Sequence, residues 1–165
     1  MPWLCPGNDP SDMQVAAPHI SALRPFSGEP AAAASLLEKV KTSGKLVVGT
    51  EAQYAPYEFK DLNANFAGCD MWLAQQIADS LGVELEVVDM SFDGIIPAVK
   101  SGQVDLGIAA FTITKERMES VDFVSYFTAG MGYAVATGNP KNVDENDLCG
   151  LNVAVETGTV EEEAI

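Results

Sequence analysis

Between residues 45 and 110 the apolar pattern switches from a period of two to a helical period and back, with few residues between runs. "KLVVGT" (45–50) is a short β-rich run, and "CDMWLAQQIADSLG" follows with apolar residues at 73, 74, 77, 78 and 81, one face of a helix. "VELEVVDM" (83–90) returns to strand-like alternation, "DGIIPAVKSG" (93–102) reads as a short helix, and "VDLGIAA" (104–110) as a third strand. Strand, helix, strand, helix, strand is the pattern of βαβ units around a parallel sheet. The expected class is therefore α/β.

Punctuation residues support the same boundaries. Gly82 closes the first of these helices and Asp70 is a candidate N-cap. Asp93 is available to cap the second helix, and Thr114 to cap a short helix carrying Arg117. Upstream, "AAAASLLEKVKTSG" reads as a short helix ended by Gly44. Downstream, "AGMGYAVAT" (129–137) and "LNVAVE" (151–156) are expected to be a fourth and fifth strand, and "TGTVEEEAI" opens a helix. Residues 1 to about 31 hold six of the nine prolines and no sustained periodicity, which reads as a flexible tether or leader remnant.

Bulk properties exclude several classes. Hydrophobic residues make up 47% and charged residues 20% of the chain, with 24 Asp and Glu against 9 Lys and Arg. A net charge of -15 opposes binding to nucleic acid, whose counterions only cations displace, and to anionic membrane surfaces. No stretch has the length of apolar sequence that a membrane-spanning helix needs. Cys5, Cys69 and Cys149 are isolated and odd in number, giving neither a disulfide framework nor a zinc pattern. Cys69 and Cys149 are expected to be small buried side chains. The sequence has no HExxH, no GxSxG and no glycine-rich phosphate loop, and its one histidine, His19, lies in the N-terminal stretch. No cofactor is expected.

In open parallel sheets ligands bind beyond the carboxyl ends of the strands. That rule selects Glu51, Tyr54 and Tyr57 past the first strand, Ser91 and Phe92 past the second, and Ala109, Ala110, Thr112 and Arg117 past the third. The fifth strand leads to Glu156, Thr157, Gly158 and Thr159 at a helix start, where free N–H groups favour an anion. Aromatic faces, hydroxyl donors, two carboxylates and a fork-shaped cation suit a small zwitterion. A guanidinium pairs bidentately with a planar carboxylate in a way that lysine does not. Each of these side chains also has an ordinary structural reading: core for the aromatics, solvated surface for the acids.

The segments "GKLVVGTEAQYAPYEF", "GCDMWLAQQIADSLG", "FDGIIPAVKSGQVDLGIAAFTITKER" and "VDFVSYF", in this order and spacing, resemble the extracytoplasmic solute-binding proteins of polar amino-acid ABC transporters. The resemblance runs from about Gly44 to Thr159. It implies the type II periplasmic-binding fold, two α/β lobes that close on a ligand. It also implies roles: Arg117 and the Thr112 N–H on the ligand carboxylate, with Thr159 assisting from the second lobe; the Ala110 carbonyl and Thr112 hydroxyl on the ammonium; Tyr54 and Phe92 around the side chain; Glu51 and Glu156 near its tip. The implied partners are a free polar amino acid and a membrane permease. The implied location is the periplasm or the outer face of the cell membrane, with the membrane reached only through the permease or a lipid on Cys5.

On that resemblance the chain is divided into a flexible segment and short helix (1–43), a first lobe (44–136), and a crossover with the truncated beginning of a second lobe (137–165). The family continues past Ile165, so a fragment of a longer protein is expected. Trp72 stands where the family usually has an acid, and Val160 where many members have Gly or a hydroxyl residue. Two other readings stay open. One is an enzyme on the same fold, a cyclohexadienyl- or prephenate-type dehydratase using Glu51 and Glu156 as an acid–base pair. The other is the ligand-sensing input domain of a receptor.

Overall fold

The computed structural model describes residues 30–165, with side chains from residue 36 onward. The expected N-terminal tether, the proposed lipid site at Cys5 and His19 lie outside the described residues. The chain forms two compact units, the first running to Phe111 and the second from Thr112 to Ile165.

The first unit is built on a three-stranded parallel sheet of order β5-β1-β6. β1 (Lys45–Thr50) lies in the middle and pairs along its whole length with β5 (Glu84–Asp89), from Lys45 opposite Glu84 to Thr50 opposite Asp89. On its other side Val48 and Gly49 pair with β6 (Leu106–Gly107). The third strand is shorter than the run 104–110, although Asp105 and Ile108 still donate to the carbonyls of Val47 and Gly49. Val48, Gly49 and Thr50 are buried in succession, as expected of a central strand covered on both faces.

Helices supply the cover. α1 (Pro30–Ser43) ends at Gly44, whose φ of 71° permits the left-handed turn back into β1. α2 (Cys69–Leu81) buries Met71, Ala74 and Ala78. With Val40, Leu46, Val48 and Ile108 its alanines form one apolar cluster, flanked by Ile77, Leu81, Val83, Leu85 and Leu106. α3 (Phe92–Ser101) buries Ile95 and Ala98. It approaches the sheet so closely that a Cβ on Gly107 would stand 2.7 Å from Ile95 Cγ2. Burying an isoleucine of this kind contributes about 1.5–3 kcal/mol. Lys39 and Asp105 tie α1 to the start of β6 at 2.8 Å, and the same carboxylate accepts the Val47 N–H at 3.0 Å.

Three very short strands, β2 (Gln53–Tyr54), β3 (Glu58–Lys60) and β4 (Phe66–Ala67), form a separate antiparallel sheet. Sequence periodicity does not reveal strands of two or three residues.

The second unit contains a single 3-10 turn at Arg117–Glu119 where a short helix was expected, an isolated bridge between Asp144 and Asp147, and α4 (Val160–Glu163). The strands expected at 129–137 and 151–156 do not form. A strand is stabilised by its neighbours' hydrogen bonds and by burial of a face, and here Met131, Tyr133, Val135, Leu151 and Val155 are all exposed.

Other local expectations change as well. The N-cap of α2 is Gly68, not Asp70, and no side chain caps it. Its first amides are satisfied instead by backbone: Cys69 donates to Pro56 and Asp70 to Tyr57. The N-cap of α3 is Ser91, with Asp93 inside the first turn. Cys149 is exposed and Cys69 only half-buried, so neither is the small core residue expected. Gly82 closes α2 in the left-handed conformation, as expected.

Candidate functional site

Within the first unit, the loop after β1 is fastened at both ends. Ala52 is buried and donates its N–H to Asp89 Oδ1 at 3.1 Å, while Lys60 Nζ meets Asp89 Oδ2 at 2.5 Å. The Lys60 ammonium, and then the Ala52 N–H, hold the Asp89 carboxyl below its ordinary range. Half-buried Glu51 opens this loop. Tyr54 is exposed and stacks on Tyr57, with ring centroids 5.6 Å apart and planes 19° apart. Gly68 allows this loop to close, since a Cβ there would lie 2.0 Å from the Tyr57 carbonyl oxygen.

Phe92 starts α3 and stacks on Phe111 at 4.3 Å with 25° between planes. Phe111 was not among the residues selected from sequence. Its one signal was position, an aromatic residue between Ala110 and Thr112 just past the third strand. Ala109 is buried, and Ala110 has a φ of 48°, an unusual value for a residue with a Cβ. The Ala110 N–H donates to Asp70 Oδ2 at 3.3 Å, and Asp70 is fully buried. The first unit therefore carries Glu51, Tyr54, Phe92, Ala109 and Ala110 at the carboxyl ends of its strands. Two aromatic stacks there offer flat faces of the kind that attract cations or stack on planar groups.

The other candidates lie in the second unit. Thr114 Oγ1 accepts the Arg117 N–H at 3.1 Å, so the expected cap forms. Arg117 Nη1 donates to the Thr112 carbonyl at 2.6 Å and Nη2 to the Gly158 carbonyl at 2.8 Å. Two backbone contacts from segments over forty residues apart fix the plane of the guanidinium and bring Thr112, Arg117 and Gly158 together. Thr159 caps α4: its hydroxyl donates to the Glu156 carbonyl at 2.7 Å and accepts the Glu162 N–H at 3.4 Å. Glu162 in turn accepts the Gly158 N–H, one residue before the N-cap, at 2.7 Å, so the helix start is closed by its own third residue. A carboxylate of the chain itself thus occupies an amide that the sequence reading left open for an anion. The Glu156 side chain is exposed.

Among the described residues no group of three His, Cys, Asp or Glu is placed to hold a metal ion, and no helix is long and apolar enough to cross a membrane.

Comparison with known proteins adds a family. Residues 46–161 match the profile of the bacterial extracellular solute-binding proteins, family 3. The arginine-binding protein ArgT of Corynebacterium glutamicum is 35% identical over 125 residues, covering 76% of this chain and 41% of the relative. The arginine-binding extracellular protein ArtP of Bacillus subtilis is 40% identical over 121 residues, 72% of this chain and 46% of ArtP. The chain spans about half the length of these curated relatives. Both are named as binding proteins. Among solved structures, the truncated, arginine-bound ArgBP of T. maritima superposes with a TM-score of 0.54 at 46% identity, over 55% of this chain and 43% of that one. A mutant of its arginine-bound domain 1 gives 0.55 at 42% identity, over 63% and 77%. The first unit thus has the fold of a type II periplasmic-binding lobe.

Proposed function

Since the chain belongs to the family 3 bacterial extracellular solute-binding proteins, we propose that it binds a polar amino acid, arginine foremost, and delivers it to the permease of an ABC transporter. The ligand lies between two lobes, of which this chain supplies the first (44–136) and the opening of the second (137–165).

The observation that carries this reading is the fixed fork of Arg117, held by the Thr112 and Gly158 carbonyls. A guanidinium oriented in advance binds a planar carboxylate with two parallel hydrogen bonds and loses little entropy in doing so. The remaining roles follow. The Ala109 and Ala110 carbonyls and the Thr112 hydroxyl take cationic donors. Tyr54 and Phe92 flank the side chain, Glu51 and Glu156 stand toward its tip, and Thr159 assists from the second lobe. Two carboxylates and two aromatic faces favour a cationic side chain over a neutral one. The relatives named for arginine support that choice. The arginine-bound domain 1 of the T. maritima protein supports binding by a first lobe alone. No reaction is required: micromolar affinity is about -8 kcal/mol, within reach of a ligand of about a dozen heavy atoms.

Calorimetric titration of the chain and of Arg117→Ala with a panel of polar amino acids tests the proposal. Saturable binding of arginine, weakened by about 2–3 kcal/mol in the variant, is the expected outcome. A folded chain that binds arginine unchanged after the substitution would remove Arg117 from the site. One that binds none of the panel would overturn the reading for this chain.

A further inference from the structure

We propose that Asp70 is a positioning residue for ligand recognition: by holding the Ala110 N–H it aims and polarises the Ala109 carbonyl toward the guanidinium of a bound arginine. The inference rests on the reading of Ala109 as a ligand-binding residue.

Asp70 is fully buried, and its Oδ2 lies 3.3 Å from the Ala110 nitrogen. Burying a carboxylate is costly, and helix capping does not account for it. The N-cap of α2 is Gly68, and the first amides of the helix go to the carbonyls of Pro56 and Tyr57. The carboxylate is directed instead at the peptide joining Ala109 to Ala110. That peptide is planar and trans, with its N–H and C=O antiparallel, so an N–H fixed on Asp70 points the Ala109 carbonyl away from Asp70. Ala110 then turns the chain at a φ of 48°, a conformation that an alanine adopts only at an energetic cost and that the contact with Asp70 helps to hold.

A second tie comes from the backbone of the same residue. The Asp70 N–H donates to the Tyr57 carbonyl at 2.9 Å, and Tyr57 stacks on Tyr54. One residue at the head of α2 therefore joins the aromatic loop after β1 to the turn after β6. Hydrogen bonds in series polarise one another, and an N–H held by a carboxylate leaves more negative charge on the carbonyl at the far end of its peptide. The buried charge is thereby relayed to a backbone oxygen, which becomes a better acceptor for a guanidinium group.

The test is titration of the 165-residue chain and its Asp70→Asn variant with L-arginine and L-citrulline, which are alike in length but differ in charge. Asparagine keeps an acceptor for the Ala110 N–H and removes the negative charge. Arginine affinity is expected to fall about tenfold and citrulline affinity far less, so that discrimination between them narrows. Equal weakening of both ligands would show a structural role only and overturn the proposal. A wild-type chain that binds neither ligand would overturn the binding reading itself, a distinguishable result. Should the variant not fold, NMR of the wild type decides: the Ala110 amide is expected to be protected from exchange and the Ala109 carbonyl carbon to shift when arginine is added. Fast exchange or an unmoved carbonyl would overturn the proposal.

Discussion

Up to Phe111 the chain lays strands side by side and covers them; from Thr112 onward similar apolar alternation forms no sheet. β1, with the sequence KLVVGT, buries Leu46, Val48, Gly49 and Thr50 between neighbouring strands and helices. The segment AGMGYAVAT also carries strand formers, Tyr133, Val135 and Thr137, yet Met131, Tyr133 and Val135 are exposed. The difference shows that β-propensity is realised only when partners supply hydrogen bonds and a buried face. The candidate site residues follow the same division. In the first unit they sit on strand ends fixed by a core. In the second, hydrogen bonds around Arg117 and Thr159 do the positioning.

Substitutions sharpen this contrast. The largest effect is expected from Ile95→Ala in the first unit, a loss of about 2–5 kcal/mol, while Tyr133→Ala in the second changes stability by less than about 0.5 kcal/mol. Urea denaturation of both variants checks the pair, and equal losses would break the comparison. Next comes Lys39→Met, which leaves the nearly buried Asp105 carboxylate without its ammonium and is expected to cost about 1–3 kcal/mol. A change of sign there would show the ion pair to be dispensable.

Ala110→Gly runs in the opposite direction. Glycine adopts a φ of 48° freely, so the variant is expected to gain up to about 1 kcal/mol in melting experiments. Gly138→Ala, at a φ of 80° in the second unit, is expected to lose a comparable amount.

The smallest effect concerns acid. The Asp89 carboxyl is held below its ordinary range by Lys60 and by the Ala52 N–H. A depressed carboxyl stabilises the fold above its unfolded value of about 3.9, and that contribution is lost as pH falls further through the folded value. Asp89→Asn should therefore flatten the acid limb slightly, as followed by circular dichroism between about pH 5 and 2. An unchanged limb would mean that this partly exposed pair is screened by solvent.

Much of the first unit was legible in the sequence because its signals are local. The strand at 45–50, the helix closing at Gly82, the α/β alternation and the cap of Thr114 on the Arg117 turn all depend on a few adjacent residues and a fixed period. The family was legible in the order and spacing of four segments. Candidate site residues could be named because loops at strand ends follow from topology, and Thr112, Arg117 and the start of α4 do come together.

Other features were decided only by contacts distant in sequence. Phe111 became part of an aromatic stack because α3 brings Phe92 against it. Asp70 reads as an N-cap from its neighbours, but the 56–57 carbonyls had already satisfied the helix amides, freeing its carboxylate to reach a peptide forty residues away. The Gly158 amide at the expected anion site is taken by Glu162, whose side chain folds back over the start of α4. Residues 129–137 and 151–156 carry strand signals without becoming strands. The sequence alone determined where backbone prefers to extend, coil or turn, since those preferences lie within single residues and their neighbours. Only the tertiary structure decided which of them were kept, since a strand, a buried charge or a stacked ring is stabilised by whatever lies across from it in space.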